Sequence, residues 1–340
     1  MAEPVKRFLA ALPQALAMGC STSGNIWQDQ YIQEGLVAAV IHFEKTRLRL
    51  YSDQLTTQSD SFAIGEALAC RLDHEKLQAV FVLSEGLNVN GSRLMVGFNS
   101  VIKGRIPITG GLAGDGDRFE STWVWCGDGP ATDRVCALGL YGEDLSVAHA
   151  SRGGWDVLGP EREVTRSSGS ILYEMDGQPA LALYKRYLGD RAKDLPASGM
   201  LFPLALLGGD ADGESKVRTL LAIDEEQQSI TFAGDVPQHS HVRLMRANFD
   251  RLIDGAEGAA NKLDLSGYSN GDALCIAISC VGRRLVLGPR VDEEIEAVLE
   301  GLPAGVRQIG FYSYGELSPL ASGLCDLHNQ TMTLTLWWEN

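Results

Sequence analysis

No run of apolar residues approaches the roughly 18 that a membrane-spanning helix requires; the longest, residues 273–281 (ALCIAISCV), suits a buried strand. The opening residues, MAEPVKRFLAALPQALA, lack a continuous apolar stretch and an early cleavage site, so they do not read as a secretory signal. Basic clusters are missing as well. Lys and Arg number 29 against 44 Asp and Glu, giving a net charge of −15 and a pI near 4.8. That balance argues against nucleic acid as a partner, because phosphate binding needs a basic surface. Seven cysteines are scattered without a CxxC pair, zinc-type spacing or a CxxCH haem-attachment motif. Most sit in apolar segments (Cys136, Cys275, Cys280), where a reduced thiol behaves as a small hydrophobe, so the expected compartment is the reducing cytoplasm. The glycine-rich stretch 110–117 matches neither GxGxxG nor GxxxxGK[ST], and so does not point to a nucleotide.

What remains is an ordinary globular composition, 45% apolar and 21% charged over 340 residues, long enough for two domains or two lobes of one. Residues 77–83 (LQAVFVL) read as a strand buried on both faces, followed by a polar turn and a helix over 92–103. Residues 35–43 and 46–51 read as paired strands, and Ser59 or Asp60 as the cap of a helix reaching Cys70. The stretch 153–163, with Gly159-Pro160, is the expected boundary, dividing the chain into 1–158 and 159–340. Beyond it, helices are expected over 179–188, 249–263 and 291–302, the last two from their apolar stripes. The order strand, polar turn, helix, strand, Gly-containing turn occurs at 77–112 and again at 273–317. This predicts an α/β fold of two similar mixed-sheet lobes packed into one compact unit.

The last 32 residues are the densest in signals. Residues 309–314 read as a strand, 315–319 (GELSP) as a turn, and the segment with Cys325, Asp326, His328 and Asn329 as a polar loop. A final strand, 331–338, alternates Thr331, Thr333 and Thr335 with Met332, Leu334 and Leu336, the period of a half-buried strand.

Four segments carry a resemblance to a known family. Gly19-Cys-Ser-Thr-Ser-Gly24 and Gly110-Gly-Leu-Ala-Gly-Asp115, then Tyr314-Gly-Glu316 and His328-Asn-Gln-Thr331, are similar to the N- and C-terminal signatures of the FIST domain, in the family's order. FIST domains usually begin with a further strand before the first helix; here the chain begins at the helix. The resemblance implies an intracellular, ligand-binding sensor rather than an enzyme, of a kind fused to or encoded beside histidine kinases or cyclic-di-GMP enzymes. Some members bind haem and sense nitric oxide. With the resemblance filling nearly all of this sequence, such a sensor would signal in trans to a partner kinase or cyclic-di-GMP enzyme, and a homo-oligomer is compatible with that role.

Haem b, lacking an attachment motif, would be held non-covalently through an axial ligand in an apolar pocket. Among six histidines, His42 and His74 read as structural and His149 as unassigned. His239 and His241 flank a turn and enter a strand on which His241, Arg243 and Met245 share a face. His241 is thus the expected iron ligand, Arg243 the partner of a propionate, and Met245 an alternative axial ligand. The other expected ligand contacts are Glu316, His328, Asn329, Cys20 and Ser21. In a second reading the chain senses an amino-acid-like metabolite, its ammonium on Glu316 and its carboxylate on backbone N–H groups of residues 19–24. A third makes Cys20 the nucleophile of a hydrolase, which requires a histidine base beside it. Asp115 and Asp117 read as a solvated turn.

Overall fold

The computed structural model describes residues 3–56, 60–127, 129–208, 216–269 and 271–340, with side chains from residue 6 onward. Its α-helices are α1 (Glu3–Ala10), α2 (Ser61–Leu72), α3 (Gly91–Ile102), α4 (Ala180–Leu188), α5 (Phe249–Asn261), α6 (Val281–Leu287) and α7 (Val291–Gly301). Local chemistry sets their ends. Asp60 caps α2 by accepting from Ala63 N at 2.9 Å, Asn90 caps α3 through Arg93 N at 3.0 Å, and Asn248 accepts from Arg251 N at the start of α5. Ser59, the other expected cap of α2, lies outside the described residues.

Two six-stranded sheets form the centre. The first runs Cys325–His328, Gly315–Pro319, Ile108–Leu112, Leu77–Ser84, Arg134–Tyr141, Arg47–Gln54. The second runs Leu145–Arg152, Met332–Glu339, Ala273–Cys280, Arg307–Ser313, Asn25–Trp27, Gln30–Ile32. Each holds one parallel pair, Leu77–Ser84 with Ile108–Leu112 and Ala273–Cys280 with Arg307–Ser313, among antiparallel neighbours. Helix crossovers, α3 in one case and α6 with α7 in the other, join the parallel strands, which a hairpin cannot do. The two mixed-sheet lobes therefore repeat one plan, as the order of sequence signals implies. They also exchange strands: the hairpin of residues 25–32 joins the second sheet, and the Gly315–His328 hairpin joins the first.

The sheets stack face to face between two helix layers. Val80 and Val82 face α2 and α3, while Ala79, Phe81 and Leu83 between them face the other sheet, where Phe81 meets Trp337 edge-on at 5.3 Å. Ala277 and Leu334 face α5 and α7 on the far side. This layering corrects the expectation for the last strand. Met332–Glu339 is buried on both faces, because one is covered by helices and the other by the first sheet. Thr333 and Thr335 lie at 1% exposure. The threonines replace a solvent-facing row with a polar seam, part of it closed by Ser151 Oγ to Thr333 Oγ1 at 3.0 Å.

Helices α2 and α3 approach closely because each offers a glycine at the crossing. A Cβ on Gly65 would lie 2.2 Å from Leu94 O, and one on Gly97 would lie 2.2 Å from Phe62 O. Gly97→Ala, which in an open helix stabilises by up to about 1 kcal/mol, is therefore expected to destabilise by about 1–3 kcal/mol. A urea-unfolding midpoint reads the sign directly.

A third unit interrupts the second lobe: an antiparallel sheet including Asp156–Ser168, Leu204–Leu207, Leu220–Asp224 and His241–Arg246, packed on α4. The chain enters it through Gly153–Gly154 and leaves through Ala247–Asn248. Gly154, at φ +92°, is held so close to α5 that a Cβ would stand 2.0 Å from Arg251 O. Two local expectations differ from the structure. Residues 35–43 form no strand, and GELSP is itself a strand paired with Cys325–His328. Its inward-facing Leu317, with Cys325 of the paired strand, fills the core under α3, which outweighs the turn character of Gly, Ser and Pro.

Candidate functional site

The parallel pairs of both sheets end at one place. Ser84 and Leu112 close one pair, Cys280 and Ser313 the other, and Tyr314 spans them as the chain crosses from the second sheet to the first. Tyr314 N donates to Leu112 O at 3.2 Å, while its ring would be 3.1 Å from a Cβ on Gly86. Crevices at the carboxyl ends of parallel strands are the usual ligand positions in α/β folds.

The four sequence segments meet here, although some 310 residues separate the first from the last. Ser23 N donates to Tyr312 O at 2.8 Å and Gly114 N to Ser21 O at 3.0 Å. Gly315 and Glu316 pair with Leu112 and Gly111, and Thr331 binds Glu316.

Each buried charge at this junction is consumed by its own neighbours. Asp115 accepts from the backbone N–H groups of Phe119, Glu120 and Ser121 at 3.0 Å each, and from Tyr314 Oη in a very short bond. Burial pushes its pKa up, but the Tyr314 and backbone bonds outweigh that and hold it below the ordinary value. Glu85 ties down the next loop in the same way, accepting from Leu87 N and Asn88 N at 2.9 and 2.7 Å. Arg283 and Glu294 form a fully buried ion pair with Nε and Nη2 at 3.0 and 2.8 Å from Oε2. Ser279 and Tyr312 donate to the other Glu294 oxygen; Arg283 donates onward to Leu252 O at 2.8 Å and to Gly153 O.

Glu316 is fully buried, and this corrects its expected role. Burial pushes its pKa up to about 8, against the opposing bonds from Ser313 Oγ (2.6 Å) and Thr331 N and Oγ1 (3.3 and 3.0 Å). It carries its proton at neutral pH and both oxygens are occupied, so it braces the 329–331 loop rather than offering a carboxylate to an ammonium. Ser21 and Ser23 likewise spend their N–H groups on Trp123 O and Tyr312 O, which takes two of the donors of residues 19–24 from a ligand carboxylate. His328 lies half-buried against Ser318 O at 3.2 Å, its pKa lowered to about 4 by burial, so it is neutral. Burial alone pushes the Cys20 thiol up to about 12. It stays protonated, the opposite of an activated nucleophile.

Asn329 is the expected residue whose chemistry remains free. Asn329 and Gln330 are both at 0% exposure, and all four of their side-chain amide atoms lack a hydrogen-bond partner among the described residues. Gln330 even holds φ at +62°, a conformation uncommon outside glycine. Its amide lies directly against Gly282, where a Cβ would stand 2.4 Å from Nε2. Gly282 also lines a cavity of about 20 Å³. Its walls are Cys280, Val281, Gly282 and Tyr314 from the second lobe, Phe119 stacked on Tyr314 at 4.4 Å, and Met200, Thr219, Leu221 and Ala233 from the third unit. The Thr219 hydroxyl is a further buried group without a partner among the described residues.

The strand expected to hold haem lies elsewhere, on the third sheet. His241 is 55% exposed with Nδ1 2.7 Å from Glu161 Oε1; His239 is 74% exposed and 3.2 Å from Glu163. Arg243 also reaches Glu161, and Met245 is buried. An axial histidine needs an apolar pocket around the porphyrin, whereas these imidazoles stand in solvent among carboxylates. The surroundings of His241 do not fit haem. His149 pairs opposite Thr335 in the second sheet, with its pKa lowered by burial, and His42 and His74 are exposed. No group of three or more His, Cys, Asp or Glu suited to a metal occurs among the described residues.

Nothing in the spacing marks Arg283 and Glu294; the only trace is an arginine pair ending the apolar run 273–281.

A fold of two repeated mixed-sheet lobes with a crevice at their shared strand ends is that of a ligand-binding module, and family comparison agrees. The FIST N domain model matches residues 2–178 and the FIST C domain model residues 180–319, so the chain belongs to the FIST family of small-ligand sensory domains. The two matches meet inside the third unit. An uncharacterized protein of Methanocaldococcus jannaschii is 23% identical over 94% of this chain and 67% of its own length. No described helix is long and apolar enough to cross a membrane.

Proposed function

We propose that this protein is a sensor that binds a small polar metabolite, without haem, in the crevice between the strand ends and the third unit. It then acts on a partner, a histidine kinase or a cyclic-di-GMP enzyme. The observation that carries this reading is the pair of fully buried, unpartnered amides of Asn329 and Gln330 at the strand ends, the second packed against Gly282 of the cavity wall. Buried polar groups in folded proteins nearly always have partners, and such exceptions call for an explanation.

At about 20 Å³ the cavity has room for roughly one water molecule and nothing larger. A metabolite therefore enters only as the wall of Met200, Thr219, Leu221 and Ala233 moves outward. The unit bearing that wall is tethered by the Gly153–Gly154 and Ala247–Asn248 segments, and Arg283 links the first tether to the site through Gly153 O. Ligand binding shifts the population toward the open arrangement by its differential affinity for it, which changes the surface offered to a partner.

A thermal-shift screen of the full chain against small metabolites tests the reading. A ligand at a hundredfold excess over its Kd is expected to add about 2.7 kcal/mol of stability. Ala233→Leu, which fills the cavity from the third-unit side, is expected to abolish the shift. A screen in which no compound gives a saturable, Ala233-dependent shift overturns it.

A further inference from the structure

We infer that the third unit is held over the crevice by an ionic clasp to the first lobe, formed by Lys216, Arg218 and Asp326, and that this clasp sets how often the crevice opens. The inference rests on the sensory reading above, in which the third-unit wall moves outward, and adds what restrains that wall.

The clasp adjoins the wall directly. Strand Lys216–Arg218 pairs with Leu204–Leu207 as the edge of the third sheet, and the next residue is Thr219 of the cavity wall. Facing it is Cys325–His328, the edge strand of the first sheet. Lys216 Nζ stands 2.5 Å from Asp326 Oδ2, and Arg218 Nη1 donates to Leu327 O at 3.0 Å. Arg218 Nε donates within the third unit, to Asp235 O at 3.1 Å, shortly after wall residue Ala233. Asn90 Nδ2, at the start of α3, reaches Asp235 Oδ1 at 3.4 Å. One guanidinium thus joins the two wall segments that carry Thr219 and Ala233, and bonds the pair to the first lobe.

Depth makes these contacts restraining. The Lys216 and Asp326 side chains are only 19% and 22% exposed, and Arg218 is buried. Burial pushes the Asp326 pKa up, but Lys216 and Arg218 outweigh that and hold it below its ordinary value. A pair at this depth is screened less than the exposed pairs elsewhere on the chain. The seat of the third unit on the second lobe is of another kind. There Leu201 joins an apolar cluster with Leu252, Val286 and Leu287, beside Trp155 and Ala247 next to the tethers. The apolar seat and tethers form a hinge on one lobe, and the clasp latches the unit to the other. Only open molecules admit a ligand, so the apparent affinity of the crevice scales with the open fraction that the clasp sets.

Labelling with N-ethylmaleimide, followed over time by peptide mapping of the full-length chain, reads that fraction with no ligand present. Cys280 is a buried residue of the cavity wall, whereas Cys275, on the same strand, is buried in the cluster beneath α5 and α7. Lys216→Met and Asp326→Asn are each expected to raise the Cys280 labelling rate by about tenfold with Cys275 unchanged. Lys216→Arg, which keeps the charge, is expected to label as wild type does. In about 1 M KCl the wild-type rate at Cys280 is expected to move toward that of Lys216→Met, which itself changes little. An unchanged Cys280 rate in both charge-removing variants overturns the clasp, and leaves the sensory reading to the metabolite screen. Cys275 labelling that rises in step with Cys280 also overturns it, because the variants then loosen the whole fold rather than one latch.

Discussion

Arg283→Met is expected to lower the free energy of unfolding by about 3–5 kcal/mol, because it strands a carboxylate in the core. Glu294 is at 0% exposure, and without the guanidinium it keeps only Ser279 and Tyr312 as donors. The effect extends beyond the pair. Arg283 also donates to Leu252 O in α5, to Gly153 O at the entry to the third unit and, at 3.5 Å, to Gln330 O beside the amide pair. Removing it takes a donor from each of these carbonyls, although Gln330 O keeps Trp155 Nε1 at 2.9 Å, and loosens the segment on which the third unit is hung. Adding Glu294→Gln to Arg283→Met is expected to restore part of the loss, by neutralising the stranded acid, but not the carbonyl contacts. Urea unfolding of the two variants measures both terms; a loss below about 1 kcal/mol in the single variant, the range of an exposed pair, would remove Arg283 from its place as the link between site and tether.

Glu316→Gln is expected to act in the opposite direction, and only at higher pH. In the folded protein the Glu316 carboxyl has its pKa raised by burial from 4.5 to about 8. Between those values the folded chain holds a proton that the unfolded chain releases. Its contribution is therefore fully present below pH 4.5 and is lost as pH rises through about 8. The size of the shift corresponds to a penalty on the order of 3–5 kcal/mol at alkaline pH. The glutamine should fit: its NH2 can face the Ser313 hydroxyl, which accepts it and turns its own proton to Ser279 O, 3.3 Å away. Melting curves from pH 5 to 9 should show wild type falling relative to Glu316→Gln across this window. Parallel curves would show that Glu316 is ionised in the fold. His328 works on the acid side. With its pKa lowered to about 4, it costs stability as pH falls below its ordinary 6.5, so the two residues bracket an optimum.

Much of the scaffold is legible in the chain because its signals are local. The LQAVFVL run, the apolar stripes of α5 and α7 and the repeated strand–helix–strand order each announce an element within about 40 residues. What eludes sequence is the layering. The alternation of threonine with apolar residues in 331–338 has the period of a half-exposed strand, and period alone cannot say that a second sheet covers the threonine face. The same holds for His241, Arg243 and Met245, whose spacing puts them on one strand but does not supply a pocket. The register with the neighbouring strand Asp156–Ser168 places the histidines against Glu161 and Glu163 in solvent. Conversely, Asn329 and Gln330 look like loop residues in the sequence and become telling only when burial is known. Thr219 and Gly282 come from segments more than 60 residues apart, so the crevice has no contiguous signature.

Backbone hydrogen exchange tests the location of the site most directly, comparing the free chain with the chain saturated by a compound that gives a saturable thermal shift. A ligand seated in the crevice is predicted to protect residues 280–283 and 329–331 in the second lobe together with 219–221 and 233 in the third unit. The strand His241–Arg246 should exchange as before. Protection confined to His241–Arg246, or absent from both walls of the crevice, would contradict the account.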